Sequence, residues 1–246
     1  MMATSAQRLI TPGEVALDVA IDSAYGGLGL SIDATRLAQG VAVVAHPHPL
    51  FGGTRDNKVV MTIARALTNH GFHVLRPNFR GVGGSGASFD EGRGESADLL
   101  ALYKSCSGAS APAWWPSSIE FTWPVQSHRL LAGFSFGAFV QTLVAESIKS
   151  DAPSLVLVGL AASRFPVASV GLGALVVHGE QDDVVALGDV LNWARPTAQP
   201  VTVIPGAGHF FHGHLVGLKT IVSDYLLARY NAGLVGGLSR ESQQGV

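Results

Sequence analysis

The chain has 246 residues, 47% of them apolar, which is enough to bury a full core and within the size at which an α/β protein stays one domain. Its 16 Lys and Arg and 18 Asp and Glu leave a net charge of -2 with no basic run, which argues against a nucleic-acid or anionic-membrane binder and for a small-molecule partner. The single cysteine, Cys106, excludes an internal disulfide and fits a reducing compartment.

Residues 1–13 read as a polar N-terminal segment without the apolar stretch of a secretory signal. The longest apolar runs, 41–45, 155–162 and 170–177, fall far short of the ~18 to 20 residues a membrane helix needs. The expectation is a cytoplasmic protein with no membrane span. Short β-branched runs predict strands at 14–21, 41–46, 73–77, 129–133, 154–160, 174–178 and 201–204. Between them, Val59, Val60, Ile63, Ala64 and Leu67 recur at helical spacing within 57–70, and further helices are expected over 95–104, 136–149, 187–195 and 212–230. This alternation is the pattern of a mostly parallel sheet flanked by helices on both faces, here over 14–231, with the first two strands expected as an antiparallel edge. The Gly-rich stretch 232–246 is expected as a flexible tail.

The strand at 129–133 runs directly into Gly133-Phe134-Ser135-Phe136-Gly137 and a helix start. A nucleophile elbow needs glycines two before and two after its serine, because the sharp turn brings backbone where a Cβ would clash. Ser135 is therefore the candidate nucleophile, and the N–H of Phe136, at the head of the new helix, a candidate oxyanion donor. The plainer alternative is a serine capping an ordinary helix.

In this arrangement the acid and the base follow the serine in chain order. The turn after the strand at 174–178 offers Asp182, with Asp183 as fallback; helix-capping aspartates are the competing reading. After the last strand, Pro205-Gly206-Ala207-Gly208 leads to His209, the candidate general base, with His212 and His214 as rivals placed where the terminal helix should have begun. His46-x-His48 and His209-x-x-His212-x-His214 raise a metal reading, but no acid stands at zinc-enzyme spacing, so neither metal nor cofactor is expected. Cys106, in Ser-Cys-Ser-Gly at a helix end, lacks the base or cation that would ionise it.

With these three positions assigned, the chain resembles the α/β-hydrolase superfamily over residues 14 to 230. His46-Pro47-His48-Pro49-Leu50-Phe51-Gly52-Gly53, running on to Asn57-Lys58-Val59-Val60, and Asn78-Phe79-Arg80-Gly81-Val82-Gly83-Gly84-Ser85 are similar to stretches of small bacterial hydrolases without a large cap domain. The resemblance implies a second oxyanion N–H close behind the His46-Pro47 pair. His48 is the aligned donor, Pro49 has no N–H to give, and Leu50 or Phe51 are alternatives. It also implies that the loop holding Arg80 shapes the floor of the site. A phosphate-binding reading of that loop lacks the Gly-Lys-Ser/Thr and ribose-acid signals.

Residues 161–173, where caps are commonly inserted, are too few to hold one, so an open site edged by Phe51, Phe165 and Phe210 is expected. The segment 107–128, with Trp114, Trp115, Phe121 and Trp123, joins the amino end of the Ser135 strand and should lie away from the site, covering core or forming an oligomer contact. The leading function is hydrolysis of carboxylic esters or thioesters through an acyl-enzyme. Amide or peptide hydrolysis by the same triad, and a non-catalytic binding protein on the same scaffold, are the competing readings.

Overall fold

The computed structural model describes residues 8–11, 14–21, 27–36, 38–117, 119, 123–124, 128–148 and 153–230. Nine strands form one sheet: β1 (Arg8–Thr11), β2 (Glu14–Ile21), β3 (Leu28–Ala34), β4 (Gly40–Ala45), β5 (Phe72–Pro77), β6 (His128–Phe134), β7 (Ser154–Val158), β8 (Leu175–Gly179) and β9 (Thr202–Ile204), in the spatial order β1-β2-β3-β5-β4-β6-β7-β8-β9. The helices are α1 (Lys58–Asn69), α2 (Arg93–Ser105), α3 (Phe136–Ser147), α4 (Leu187–Ala194) and α5 (Leu215–Tyr230).

All pairings among β4 to β9 are parallel, and β4 lies at the centre between β5 and β6. Strands buried on both faces must be apolar throughout, which is why Gly-Val-Ala-Val-Val-Ala and Ser-Leu-Val-Leu-Val carry no alternation. One face is covered by α1 and α5, which bury Ile63, Leu67, Leu218 and Val222 with Val44 and Phe134. The other carries α2 and α3, whose Leu99, Leu102 and Val140 pack with Val43 and Leu157. Asn57 starts α1 by accepting the Val59 N–H at 2.9 Å.

The antiparallel edge exists, but not between the expected strands. Residues 14–21 pair with β3, which the sequence reading passed over, whereas 40–45 is a central parallel strand. Strand β3 alternates: Leu30, Ile32 and Ala34 enter the core while Asp33 meets buried Arg76 at 2.6 Å on the opposite face. The sheet also reaches into the segment set apart as 1–13, since Arg8–Thr11 pairs with β2. The expected tail at 232–246 lies outside the described residues.

The final helix begins at Leu215 rather than 212. Phe211 and Gly213 hold left-handed φ values of 52° and 77°, so His212 and His214 sit in a turn before it. Among the described aromatic residues of 107–128, Trp115 and Trp123 bracket His73 near the amino end of β5 at 5.0 and 6.2 Å and meet each other edge-on. They cover core far from the carboxyl ends of the strands; Phe121 lies outside the described residues. No described helix is long and apolar enough to cross a membrane.

Candidate active site

Ser135 stands between β6 and α3 with φ 56° and ψ -117°, a conformation a side-chain-bearing residue adopts only under constraint. The constraint comes from both sides. The Ser135 N–H extends the β6–β7 ladder by donating to the Val158 carbonyl at 2.9 Å, and α3 begins at the next residue. A Cβ at Gly133 would stand 2.4 Å from the Gly137 carbonyl, and one at Gly137 would stand 2.5 Å from the carbonyl oxygens of Ala45 and His46. Glycine is thus required at both positions to let strand, turn and helix touch. The Ser135 side chain does not cap α3; its Oγ–H donates to Nε2 of His209 at 3.0 Å.

His209 is delivered by two loops packed edge to edge. The Glu180 N–H donates to Ile204 O, the Gln181 N–H donates to Ala207 O, and the Gly206 N–H reaches the Glu180 carboxylate at 2.8 Å. This binds the turn after β8 to the turn after β9, so residues 27 apart in sequence meet: Nδ1–H of His209 donates to Oδ2 of Asp182 at 2.7 Å. The other carboxylate oxygen, Oδ1, accepts from the N–H groups of Val184 and Val185 at 2.9 and 2.7 Å. Burial alone would raise the Asp182 pKa. The His209 bond, the Val185 N–H and the two neighbouring imidazoles outweigh it and hold the carboxylate below its ordinary range.

His178 backs the pair from the end of β8. Its Nε2–H donates to the Val185 carbonyl at 2.9 Å and lies 3.4 Å from Asp182 Oδ2. Asp183 is exposed, and His212 is exposed against Phe210. None of the three rivals, Asp183, His212 and His214, bonds to the side chain of Ser135, His209 or Asp182 among the described residues.

The loop after β4 is held by His46, which is fully buried. Its Nε2 accepts the Phe79 N–H at 2.9 Å, and its Nδ1–H donates to the Pro47 carbonyl at 2.6 Å. Burial lowers its pKa to about 4, so the ring is neutral and both bonds persist near neutral pH. Every peptide bond described is trans. The Pro47 carbonyl, drawn toward His46, therefore turns the His48 N–H of the same peptide plane to the opposite side. Three other N–H groups of this loop are used within it: Leu50 donates to His48 Nδ1, and Phe51 and Gly53 donate to the His48 carbonyl. The N–H groups of His48 and Phe136 donate to no group among the described residues. Arg80 lies beneath, clamped to Asp98 by two bonds of 3.0 Å that tie the loop after β5 to α2.

Ser135 and His209 open into a cavity of about 620 Å³ at the carboxyl ends of the strands. All three residues expected at its edge line it: Phe51, exposed by 86%, Phe165, stacked on Phe139 at 4.7 Å, and Phe210. Asn57 and Arg164, which are not among the residues expected from sequence, also line the cavity. Arg164 is the sole charged residue in 161–173, a signal that was open to notice.

No protein-family model matches the chain. It is 31% identical to an α/β serine hydrolase without a lid from Xanthomonas campestris, across 91% of this chain and 97% of that one, with a TM-score of 0.73. It is 34% identical to an α/β serine hydrolase homologue from Coxiella burnetii, across 85% and 96%, with a TM-score of 0.70. An uncharacterized protein of Rickettsia prowazekii is 30% identical over 200 residues, which is 76% of this chain and 78% of that protein. The chain belongs to the α/β serine hydrolases. It is a hydrolase of that fold.

Proposed function

We propose that the protein hydrolyses carboxylic esters or thioesters of small molecules, with Ser135 as nucleophile, His209 as general base and Asp182 as the acid that orients it. The observation that carries this reading is the unbroken chain of bonds from Ser135 Oγ through both nitrogens of His209 to Asp182, at the wall of an open cavity.

In the first step Oγ attacks the carbonyl carbon as its proton passes to Nε2. Asp182 remains ionised, holds Nδ1 in its protonated tautomer and stabilises the imidazolium that forms. Negative charge on the carbonyl oxygen is met by the Phe136 N–H, which has no acceptor within α3, and by the His48 N–H. His48 is favoured over Leu50 and Phe51 because their N–H groups are spent inside the loop. A donor of this kind is worth about 3 to 4 kcal/mol in the transition state. Nε2–H then protonates the departing alkoxide or thiolate, and water repeats the sequence on the acyl-enzyme.

Esters are preferred over peptides because no carboxylate among the described residues lines the cavity to receive a peptide's amino end. A fluorophosphonate probe followed by peptide mass spectrometry should modify Ser135 alone. Parallel turnover of p-nitrophenyl esters, acyl-CoA and aminoacyl-anilides ranks the leaving groups. A folded protein that the probe leaves unlabelled, or that cleaves anilides faster than esters, refutes the assignment.

A further inference from the structure

Arg164 stands apart from the other arginines near the site. Arg76 is paired with Asp33 and Asp56, Arg80 with Asp98, and Arg93 with Asp90 and Glu91. No carboxylate pairs with Arg164 among the described residues. Among the described residues its guanidinium makes a single bond, to the Val184 carbonyl at 3.3 Å, and Val184 is itself a wall of the cavity. That bond tethers the cation to the loop whose next N–H groups hold Asp182, and it leaves most of the fork of donors unspent.

The surroundings make this charge unusual. Phe51, Phe136, Phe165, Val184 and Phe210 form the walls, Asn57 is neutral, and no carboxylate lines the cavity among the described residues. Four of the seven large apolar side chains exposed among the described residues, Leu50, Phe51, Val184 and Phe210, surround or adjoin this mouth. Arg164 is exposed at the rim of these apolar walls; water and salt screen it, but with no carboxylate among the described lining residues to oppose it, its field at the mouth favours an anion over a neutral or cationic group. The planar fork also fits the two oxygens of a carboxylate or phosphate.

We propose that Arg164 forms an anion subsite, and that the preferred substrate is an amphiphilic ester or thioester with an apolar body and a carboxylate or phosphate. This rests on the hydrolase reading of Ser135 given above and narrows its substrate class. The anion stands on either the acyl or the leaving-group side of the scissile bond, and both share the same chemistry.

The test uses charge-matched pairs on the intact protein. For the acyl side, p-nitrophenyl half-esters of glutarate and adipate are compared with their methyl-capped diesters. For the leaving-group side, 4-acetoxybenzoate is compared with its methyl ester. The carboxylate member of at least one pair should be favoured by about tenfold in kcat/KM, and the preference should shrink as salt rises. Arg164→Gln should abolish the preference and Arg164→Lys should keep part of it; Arg164 is exposed, so neither change threatens folding. Equal turnover within both pairs, or a preference that survives Arg164→Gln, overturns the subsite while Ser135 labelling and neutral-ester cleavage leave the hydrolase reading standing. Absence of both Ser135 labelling and all ester cleavage overturns the hydrolase reading and the subsite with it.

Discussion

Oδ2 of Asp182 lies 2.7 Å from Nδ1 of His209, while its Oδ1 is taken by two backbone N–H groups of its own loop. The carboxylate is thus fixed before the imidazole meets it. Asp182→Asn should lower kcat about ten-thousandfold by favouring the wrong imidazole tautomer. Asp183→Asn, at an exposed neighbour, should stay close to wild type. Steady-state kinetics of the two variants decide between the acids; comparable losses in both would contradict the assignment.

In the proposed mechanism His46 supports the oxyanion donor from a distance, by holding the Pro47 carbonyl and hence the direction of the His48 N–H. His46→Leu removes both bonds and should lower kcat tenfold to a hundredfold with KM little changed, since the lost interaction matters in the transition state. His46→Gln, able to donate and accept at once, should recover part of the loss. Affinity for a boronic acid that mimics the tetrahedral intermediate should fall in parallel with kcat. An unchanged boronate affinity in His46→Leu would separate His46 from the oxyanion site.

Burial lowers the His46 pKa from 6.5 to about 4. The folded protein resists the proton that the unfolded chain accepts, so His46 contributes full stability above pH 6.5, and this is lost as the pH falls toward 4. The contribution is roughly 3 kcal/mol. Burial lowers His48 and His178 in the same sense. Asp182, whose pKa is depressed, keeps its stabilising contribution above the ordinary carboxylate range and loses it as the pH falls from that range through its lowered pKa. Urea midpoints across this interval should drop, and His46→Gln should flatten the slope. A flat wild-type profile would show that His46 titrates alike in both states.

A methyl group at Gly137 has nowhere to go, since its Cβ would stand 2.5 Å from the backbone oxygens of Ala45, at the end of β4, and His46, in the loop that follows. Gly137→Ala should cost at least about 1 to 3 kcal/mol and should depress activity by displacing that loop. Gly188, inside α4 with nothing within 4 Å of a Cβ, is the contrasting position. Gly188→Ala should raise stability by about 0.5 to 1 kcal/mol. Thermal melts of the two variants would reveal whether the strand-turn-helix contact is as close as described.

Cys106 is buried, which pushes its thiol up to about 11. Iodoacetamide at mildly alkaline pH should leave the native protein unmodified and label it only in urea. Rapid native labelling would mean that the α2 terminus opens far more readily than its packing implies.

Much of this was readable without coordinates. The central strands are apolar without alternation because both faces are covered, and the glycines around Ser135 report a contact that any other residue would break. Strand β3 carries a readable alternation, Leu30-Ser31-Ile32-Asp33-Ala34, but that both its faces are covered, with Asp33 against buried Arg76, is settled only by the tertiary structure. The start of α5 was misplaced because left-handed backbone at Phe211 leaves no compositional trace.

What sequence alone determined was the parallel sheet with helices on both faces and the identities of Ser135, Asp182 and His209 as candidates. Periodicity and turn chemistry are local properties, written in neighbouring residues. Only the tertiary structure brought the three side chains into one line of bonds, left the His48 N–H unspent beside its occupied neighbours, and set Arg164 against Val184 in an apolar wall. Those relationships depend on loops from different strand ends meeting at one edge of the sheet, and distance across that edge is not encoded in spacing along the chain.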